Sequence, residues 1–161
     1  MERSVNFTFI GFIHTPFEDT VGIPIQACYS TVEGWIELFP KYFDGILDLI
    51  GFSHIILIYQ FHKVQEVKMR VKPYLEEKTH GIFATRAPVR PNPIGISTVE
   101  LLGINESKSL LKIRGVDMLN VTPLIDIKPF IPHFDNREAR KGWLSNTTHT
   151  STNPILSDDR F

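Results

Sequence analysis

The side chains of this sequence that could do chemistry gather in three stretches. Gly81 to Ser97 (GIFATRAPVRPNPIGIS) sets Arg86 and Arg90 among Pro88, Pro91 and Pro93. Asp117 to Pro132 (DMLNVTPLIDIKPFIP) places Asp117, Asp126 and Lys128 around further prolines. Phe52 to His62 (FSHIILIYQFH) is an apolar run bracketed by His54 and His62. The early loop IHTPFEDTVGIPIQ, ending in Gln26, is a further candidate. A guanidinium is planar, always charged and recognises a carboxylate or phosphate through two parallel hydrogen bonds, so Arg86 and Arg90 point to an anionic ligand. Each feature also has a plainer role. The arginines can be solvated or can pin their own loop, Asp126 and Lys128 can form a structural pair, and His54 can complete core hydrogen bonding.

The proline-rich stretch cannot be helical. Proline fixes its own φ and drives the preceding residue out of the helical region, so Ala87, Arg90 and Asn92 are expected to be extended. A stiff loop loses little conformational entropy when a ligand docks. Gly95 lets the backbone turn or approach a neighbour closely.

The totals bound the class. With 161 residues, 42% hydrophobic and 22% charged, the chain has the composition of one ordinary globular domain with a core of its own. The single cysteine, Cys28, excludes an internal disulfide framework and fits a reducing compartment. Neither C-x-x-C nor H-E-x-x-H occurs, so no metal site is expected. No apolar run reaches membrane-spanning length and MERSVNFTF has no signal-peptide core, so the expected location is the cytoplasm. The net charge of −1 excludes a generic nucleic-acid coat protein, but Lys63 to Arg90 holds seven basic residues against three acidic ones. That local excess can meet a phosphate backbone over a limited footprint, or can be a solvated face.

These residues must be positioned by a mainly β scaffold. Phe7 to Ile13, Tyr29 to Phe39, Ser53 to Phe61, Ile96 to Ile104, Ser109 to Val116 and Leu124 to Ile127 read as strands, with a hairpin across Asn105-Glu106. In the second, Val32, Ile36 and Leu38 share one parity and Gly34 marks a bulge. Ser53 to Phe61 is apolar throughout and reads as a strand buried on both faces. Tyr42, Phe43, Ile46, Leu47 and Ile50 fall at helical spacing between Pro40 and Gly51, predicting a short helix. Val64 to Glu77 is an irregular excursion, Gly81 to Thr85 a short strand, and Glu138 to Trp143 a second helix-like stretch. Strands do not alternate with long helices, and no Gly-rich phosphate loop occurs. The expected fold is therefore one mostly antiparallel β-barrel over residues 1–143, not a doubly wound nucleotide fold, followed by a loosely ordered polar tail over 144–161.

FATRAPVRPNPIGIS, FSHIILIYQFH and DMLNVTPLIDIKPFIP, with IHTPF and Pro24 to Gln26, together resemble the TrmO (YaeB-type) tRNA methyltransferase family over about Ile10 to Pro132. The resemblance implies a β-barrel homodimer that binds S-adenosylmethionine. It also implies methylation of the exocyclic nitrogen of threonylcarbamoyladenosine, 3′ of the anticodon in tRNA. By the same resemblance Ala27, Cys28, Tyr29, His62, Lys63, Arg86, Ile96, Phe130, Ile131, Pro132 and His133 would surround the cofactor, and Arg90, Asn92 and Lys128 would meet the substrate. Transfer requires nitrogen and methyl to be held about 3–3.5 Å apart, and a urea-type nitrogen needs a general base. Asp126 and Asp117 are the candidates, Asp126 first because it adjoins Lys128 and the prolines.

Three departures matter. Asn120-Val121 stands where the family has Asp-Gly, which changes the turn and removes an acid. Lys63 and Phe130 replace a glutamine and a tyrosine. The chain stops shortly after the barrel, so tRNA is expected to be held by Lys63 to Arg90 or by a partner. Two other readings remain open: a barrel that binds an anionic small molecule or RNA without catalysis, and a methyltransferase with another substrate.

Overall fold

The computed structural model describes residues 3–146 and 155–161. Eight strands occur in them: β1 (Gly11–His14), β2 (Glu33–Leu38), β3 (His54–Gln60), β4 (Arg70–Val71), β5 (His80–Gly81), β6 (Ile94–Asn105), β7 (Leu110–Arg114) and β8 (Thr122–Pro129). Six of them close into an antiparallel barrel in the order β1-β2-β7-β6-β3-β8, with β8 returning to pair with β1. β4 and β5 form a separate two-stranded ladder outside it. The fold is mainly β, as the sequence predicts.

Alternation builds the core. Ile13, Ile36, Leu38, Ile55, Leu57, Val99, Leu111, Ile113 and Leu124 all point inward and are buried, because successive strand residues face opposite sides and closure gives every strand one inner face. The expectation that β3 is buried on both faces is corrected: Ile55, Leu57 and Tyr59 are buried, while Ile56 and Ile58 are half-exposed on the barrel's outer wall. Gly34 is not a bulge, since its ladder with β7 runs in unbroken register. It is a close approach instead: a Cβ there would lie 2.5 Å from the His14 carbonyl oxygen.

The helix predicted over 41–50 is two 3₁₀ turns, Pro40–Ile46 and Leu49–Gly51. Asp48 between them takes a left-handed φ of 64° and ends any continuous ladder. The second helix-like stretch is also displaced. One helical turn, α1 (Pro132–Asp135), follows β8, and a 3₁₀ turn spans Gly142–Asn146. β1 starts at Gly11, later than the sequence indicates, whereas β8 extends well beyond Leu124 to Ile127 in both directions. The hairpin between β6 and β7 turns through Glu106–Lys108.

Of the tail expected to be loose, residues 147–154 lie outside the described residues. Residues 155–161 pack: Leu156 bridges Pro24, and Phe161 joins a second small core of Val71, Ile82, Ala87 and Val89. Among the described residues no helix is long and apolar enough to cross a membrane.

Candidate active site

One end of the barrel opens into a cavity of about 980 Å³. Its floor is the end of β3 (Tyr59, then Phe61 and His62), the start of β6 (Ile94 to Ile96) and the turn Asp117 to Leu119 before β8. Its walls are the loop around Ile23 to Gln26, the excursion from Lys63 through Arg90, and Ser157 with Phe161.

Gly95 makes the floor possible. It sits opposite Tyr59 in the β3–β6 ladder, and a Cβ on it would fall 2.2 Å from the tyrosine ring. Without that Cβ the ring lies flat across the strand and its hydroxyl reaches Ser97 Oγ at 3.0 Å. Ser97 in turn donates to Asp117 Oδ1 at 2.6 Å. Burial and the nearby Asp117 charge push the Tyr59 hydroxyl far above its ordinary range, so it stays neutral. With the serine proton directed at Asp117, the tyrosine is the donor to the serine. The result is a one-way donor chain from the core to a carboxylate at the cavity wall.

Asp117 is partly buried. Loss of hydration pushes its carboxyl up to about 6, although the Ser97 hydrogen bond, the Ala27 backbone N–H and the Arg86 charge all pull the other way. The turn that carries it is fastened on both sides. Thr15 donates to the Met118 carbonyl at 2.9 Å and Thr122 to the Leu119 carbonyl at 2.7 Å. Val121, where the family has glycine, holds a left-handed φ of 55°. Val121 thus occupies a backbone conformation that favours glycine. Asn120 Oδ1 accepts from the Thr15 and Val121 amides at 3.1 and 3.0 Å, and its Nδ2 donates to Glu18 at 2.8 Å.

The expected residues divide clearly. Tyr29, His62, Lys63, Arg86, Arg90, Ile96 and Asp117 line the cavity, and Ala27 and Cys28 share the 3₁₀ turn Ala27–Tyr29 at its edge. Arg86 Nη1 donates to Gln26 Oε1 at 2.7 Å, and among the described residues Arg86 enters no ion pair. Burial, then the Lys63 charge, lowers the His62 imidazole and keeps it neutral at pH 7. Arg90 is held by its own loop: one Nη1 meets the carbonyls of Ile82, Thr85 and Ala87 at 3.1, 2.8 and 3.5 Å. That geometry makes it a loop pin that also lines the cavity.

Asp126 does not line the cavity. It forms an exposed pair with Lys128 at 2.8 Å on the outer wall, opposite Ile58. Of the two acids, Asp117 lines the cavity and Asp126 does not. Asn92 is also exposed and outside the cavity lining. Phe130 to His133 sit at the far end of the barrel, where the Phe130 N–H meets the His54 carbonyl at 3.0 Å. The length of β3, about 20 Å at the usual strand rise, separates them from His62. The sequence also offered no reason to choose Tyr59 and Ser97. Their one signal is parity, a hydroxyl at an inward position between apolar neighbours, and it gains meaning only once register is known.

The family model of the tRNA-methyltransferase O N-terminal domain matches residues 12–136. The chain belongs to this family. A relative from Pyrococcus abyssi named "Probable S-adenosyl-L-methionine-binding protein" is 51% identical over 154 residues, covering 94% of this chain and 82% of the relative. The tRNA (adenine(37)-N6)-methyltransferase of Escherichia coli is 34% identical over 138 residues, covering 80% of this chain and 59% of that protein. The crystal structure of TrmO from Pseudomonas aeruginosa superposes with a TM-score of 0.74 at 32% identity, covering 91% of this chain and 64% of that one. The chain therefore spans under two thirds of the length of these last two proteins, whereas it spans most of the Pyrococcus relative.

Proposed function

We propose that this TrmO-family chain is an S-adenosylmethionine-dependent tRNA methyltransferase, with Asp117 as its general base. Its target is the N6 position of the adenine beside the anticodon, as threonylcarbamoyladenosine. The observation that carries the reading is the Tyr59–Ser97–Asp117 chain ending at a cavity of about 980 Å³. The E. coli relative's name supports the reaction, and the Pyrococcus relative's name supports the cofactor.

The residues at the cavity fit that cofactor by their chemistry. Arg86, held by the neutral Gln26, would take its carboxylate. Ile96, exposed in the cavity, and Tyr29 would give its adenine an apolar and aromatic wall, with His62, Lys63, Ala27 and Cys28 at the edges. When bound, the cofactor supplies a methyl group on a positively charged sulfur, which leaves as a neutral thioether. Asp117 accepts the proton of the attacking nitrogen. A carboxyl at about 6 is ionised at neutral pH yet more basic than an exposed one, which suits that task. Ser97 fixes one carboxylate oxygen and so orients the other.

Phe130 to His133 enter such a site only from a second copy, since their own cavity lies the length of β3 away. The reading therefore includes a homodimer, and a tRNA substrate sets the reaction in the cytoplasm. Arg70 and Lys78, in the excursion beside the cavity, are available to the tRNA backbone.

The test is methyl transfer from labelled S-adenosylmethionine to tRNA with and without threonylcarbamoyladenosine, for wild type, Asp117→Asn and Asp126→Asn. Label is expected only in the first pool, absent with Asp117→Asn and retained with Asp126→Asn. Light scattering is expected to return twice the 18.5 kDa of the chain. Cofactor binding without label in either pool would refute the substrate, a monomer would refute the shared site, and loss with Asp126→Asn would refute the choice of base.

A further inference from the structure

The cavity's two side walls do not belong to the barrel, and they are joined to each other directly by the Arg86–Gln26 hydrogen bond at 2.7 Å. The loop at 20–26 carries Gln26 and hence the grip on Arg86. The excursion from 64 to 90 has a two-residue ladder, β4 with β5, a small core of Val71, Ile82, Ala87 and Val89, the Arg90 bonds to its own carbonyls, and Trp143 stacked on His80 and donating to the Ala84 carbonyl at 2.8 Å. Residues 155–161 cross between them.

At one end this segment is stitched to the loop like an added strand. Gly22 N–H donates to the Ser157 carbonyl at 2.9 Å, Ile25 N–H to the Ile155 carbonyl at 2.9 Å, and Ser157 N–H to the Ile23 carbonyl at 2.8 Å. The Ser157 hydroxyl accepts from Ile23 N–H at 2.9 Å and donates to the Thr20 carbonyl at 2.7 Å. At the other end it grips the excursion. Arg160 donates to the Pro73 carbonyl at 2.9 Å while its guanidinium lies 4.9 Å from the centre of the Tyr74 ring. Asp158 holds that guanidinium through its Nε and Nη2. Phe161 meets Tyr74 edge-on at 5.1 Å and packs against the excursion's small core. Ser157 and Phe161 both line the cavity.

We infer that residues 155–161 are a strap that fixes the spacing of the two walls, with Phe161 and Ser157 as positioning residues for the cavity's ligand. The inference rests on the cofactor reading for the identity of that ligand, but not for the mechanical coupling. The excursion's core is too small to order on its own a chain segment this long, because a few buried side chains do not offset the conformational entropy of fixing it. Removing the aromatic wedge should therefore raise local opening of the excursion without touching the barrel.

The experiment compares wild type, Phe161→Ala and Phe161→Leu in the full chain. Amide hydrogen exchange is read by peptide for residues 68–90, 20–26 and the barrel strands β3 and β6, without ligand. Calorimetric titration with S-adenosylmethionine follows. With Phe161→Ala, exchange over 68–90 is expected to rise about tenfold, with β3 and β6 unchanged, as for loss of a packed ring in a local unit. Cofactor affinity should fall by a similar factor, and Phe161→Leu should recover most of both. Unchanged exchange over 68–90, or a rise spread equally through β3 and β6, would overturn the strap. Altered exchange with unaltered affinity would overturn its role at the site. If wild type itself binds no S-adenosylmethionine, the cofactor reading falls while the exchange comparison still decides the strap.

Discussion

Replacing Asp117 by asparagine should abolish activity and yet make the protein more stable. The folded chain holds this carboxyl at about 6, against 3.8 for a free side chain. Above both values the unfolded chain keeps the charge in water at no cost, while the folded chain keeps it at a desolvated wall. Between them the folded state binds more protons than the unfolded one, so stability falls as pH rises and levels off above about 6. The full penalty is about 3 kcal/mol as an upper bound, reached above the folded value and absent below the unfolded one. Asparagine has nearly the same shape and still accepts from Ser97 Oγ, so it removes the charge without opening a hole. Urea unfolding at pH 8 should therefore show Asp117→Asn more stable by about 1–3 kcal/mol, a midpoint shift of about 1 M at a typical slope. At pH 4 the two proteins should nearly coincide. An asparagine variant no more stable than wild type at pH 8, or a gap that does not shrink towards pH 4, would refute the reasoning and remove the basis for Asp117 as a tuned base. An unchanged rate of methyl transfer would do so independently.

Two other substitutions test the scaffold beneath that acid. Gly95→Ala puts a methyl group 2.2 Å from the buried Tyr59 ring, forcing the ring off the strand and its hydroxyl away from Ser97. The expected cost is about 2–3 kcal/mol in chemical denaturation, and a loss under 0.5 kcal/mol would show that the ring is not locked there. Val121→Gly relieves a β-branched residue held at a φ of 55°. It should stabilise by about 1 kcal/mol, seen as a raised thermal midpoint, with the Asn120 hydrogen bonds retained. A lowered midpoint would mean that the valine contributes packing that outweighs its strain.

The sequence by itself determined the kind of scaffold and the neighbourhood of the site. Alternation in GWIEL and TVELL indicated strands with one buried face, whereas the unbroken apolar run IILIY pointed to two and only closure of the barrel left it with one; the scarcity of helical periodicity left a barrel as the way to cover such strands. The proline triplet around Arg90 excluded a helix there whatever surrounds it, because proline's constraint is local. Arg86 and Asp117 were identifiable by residue type and by resemblance. Other features are properties of distance in space. Which acid faces the cavity depends on the fastened turn that carries Asp117 and on the register of β8, since a one-residue shift would move Asp126 to the opposite wall. Whether Arg90 is free depends on three carbonyls that only the folded loop brings together. Spacing predicted a helix at 41–50, but the barrel buries Leu49 and leaves Leu47 exposed, a pattern met by two 3₁₀ turns. The donor chain joins Tyr59, Ser97 and Asp117, and the strap joins Ser157 to Ile23 and Phe161 to Tyr74. Such long-range pairs leave no periodicity in a single sequence, because tertiary packing, not local propensity, selects them.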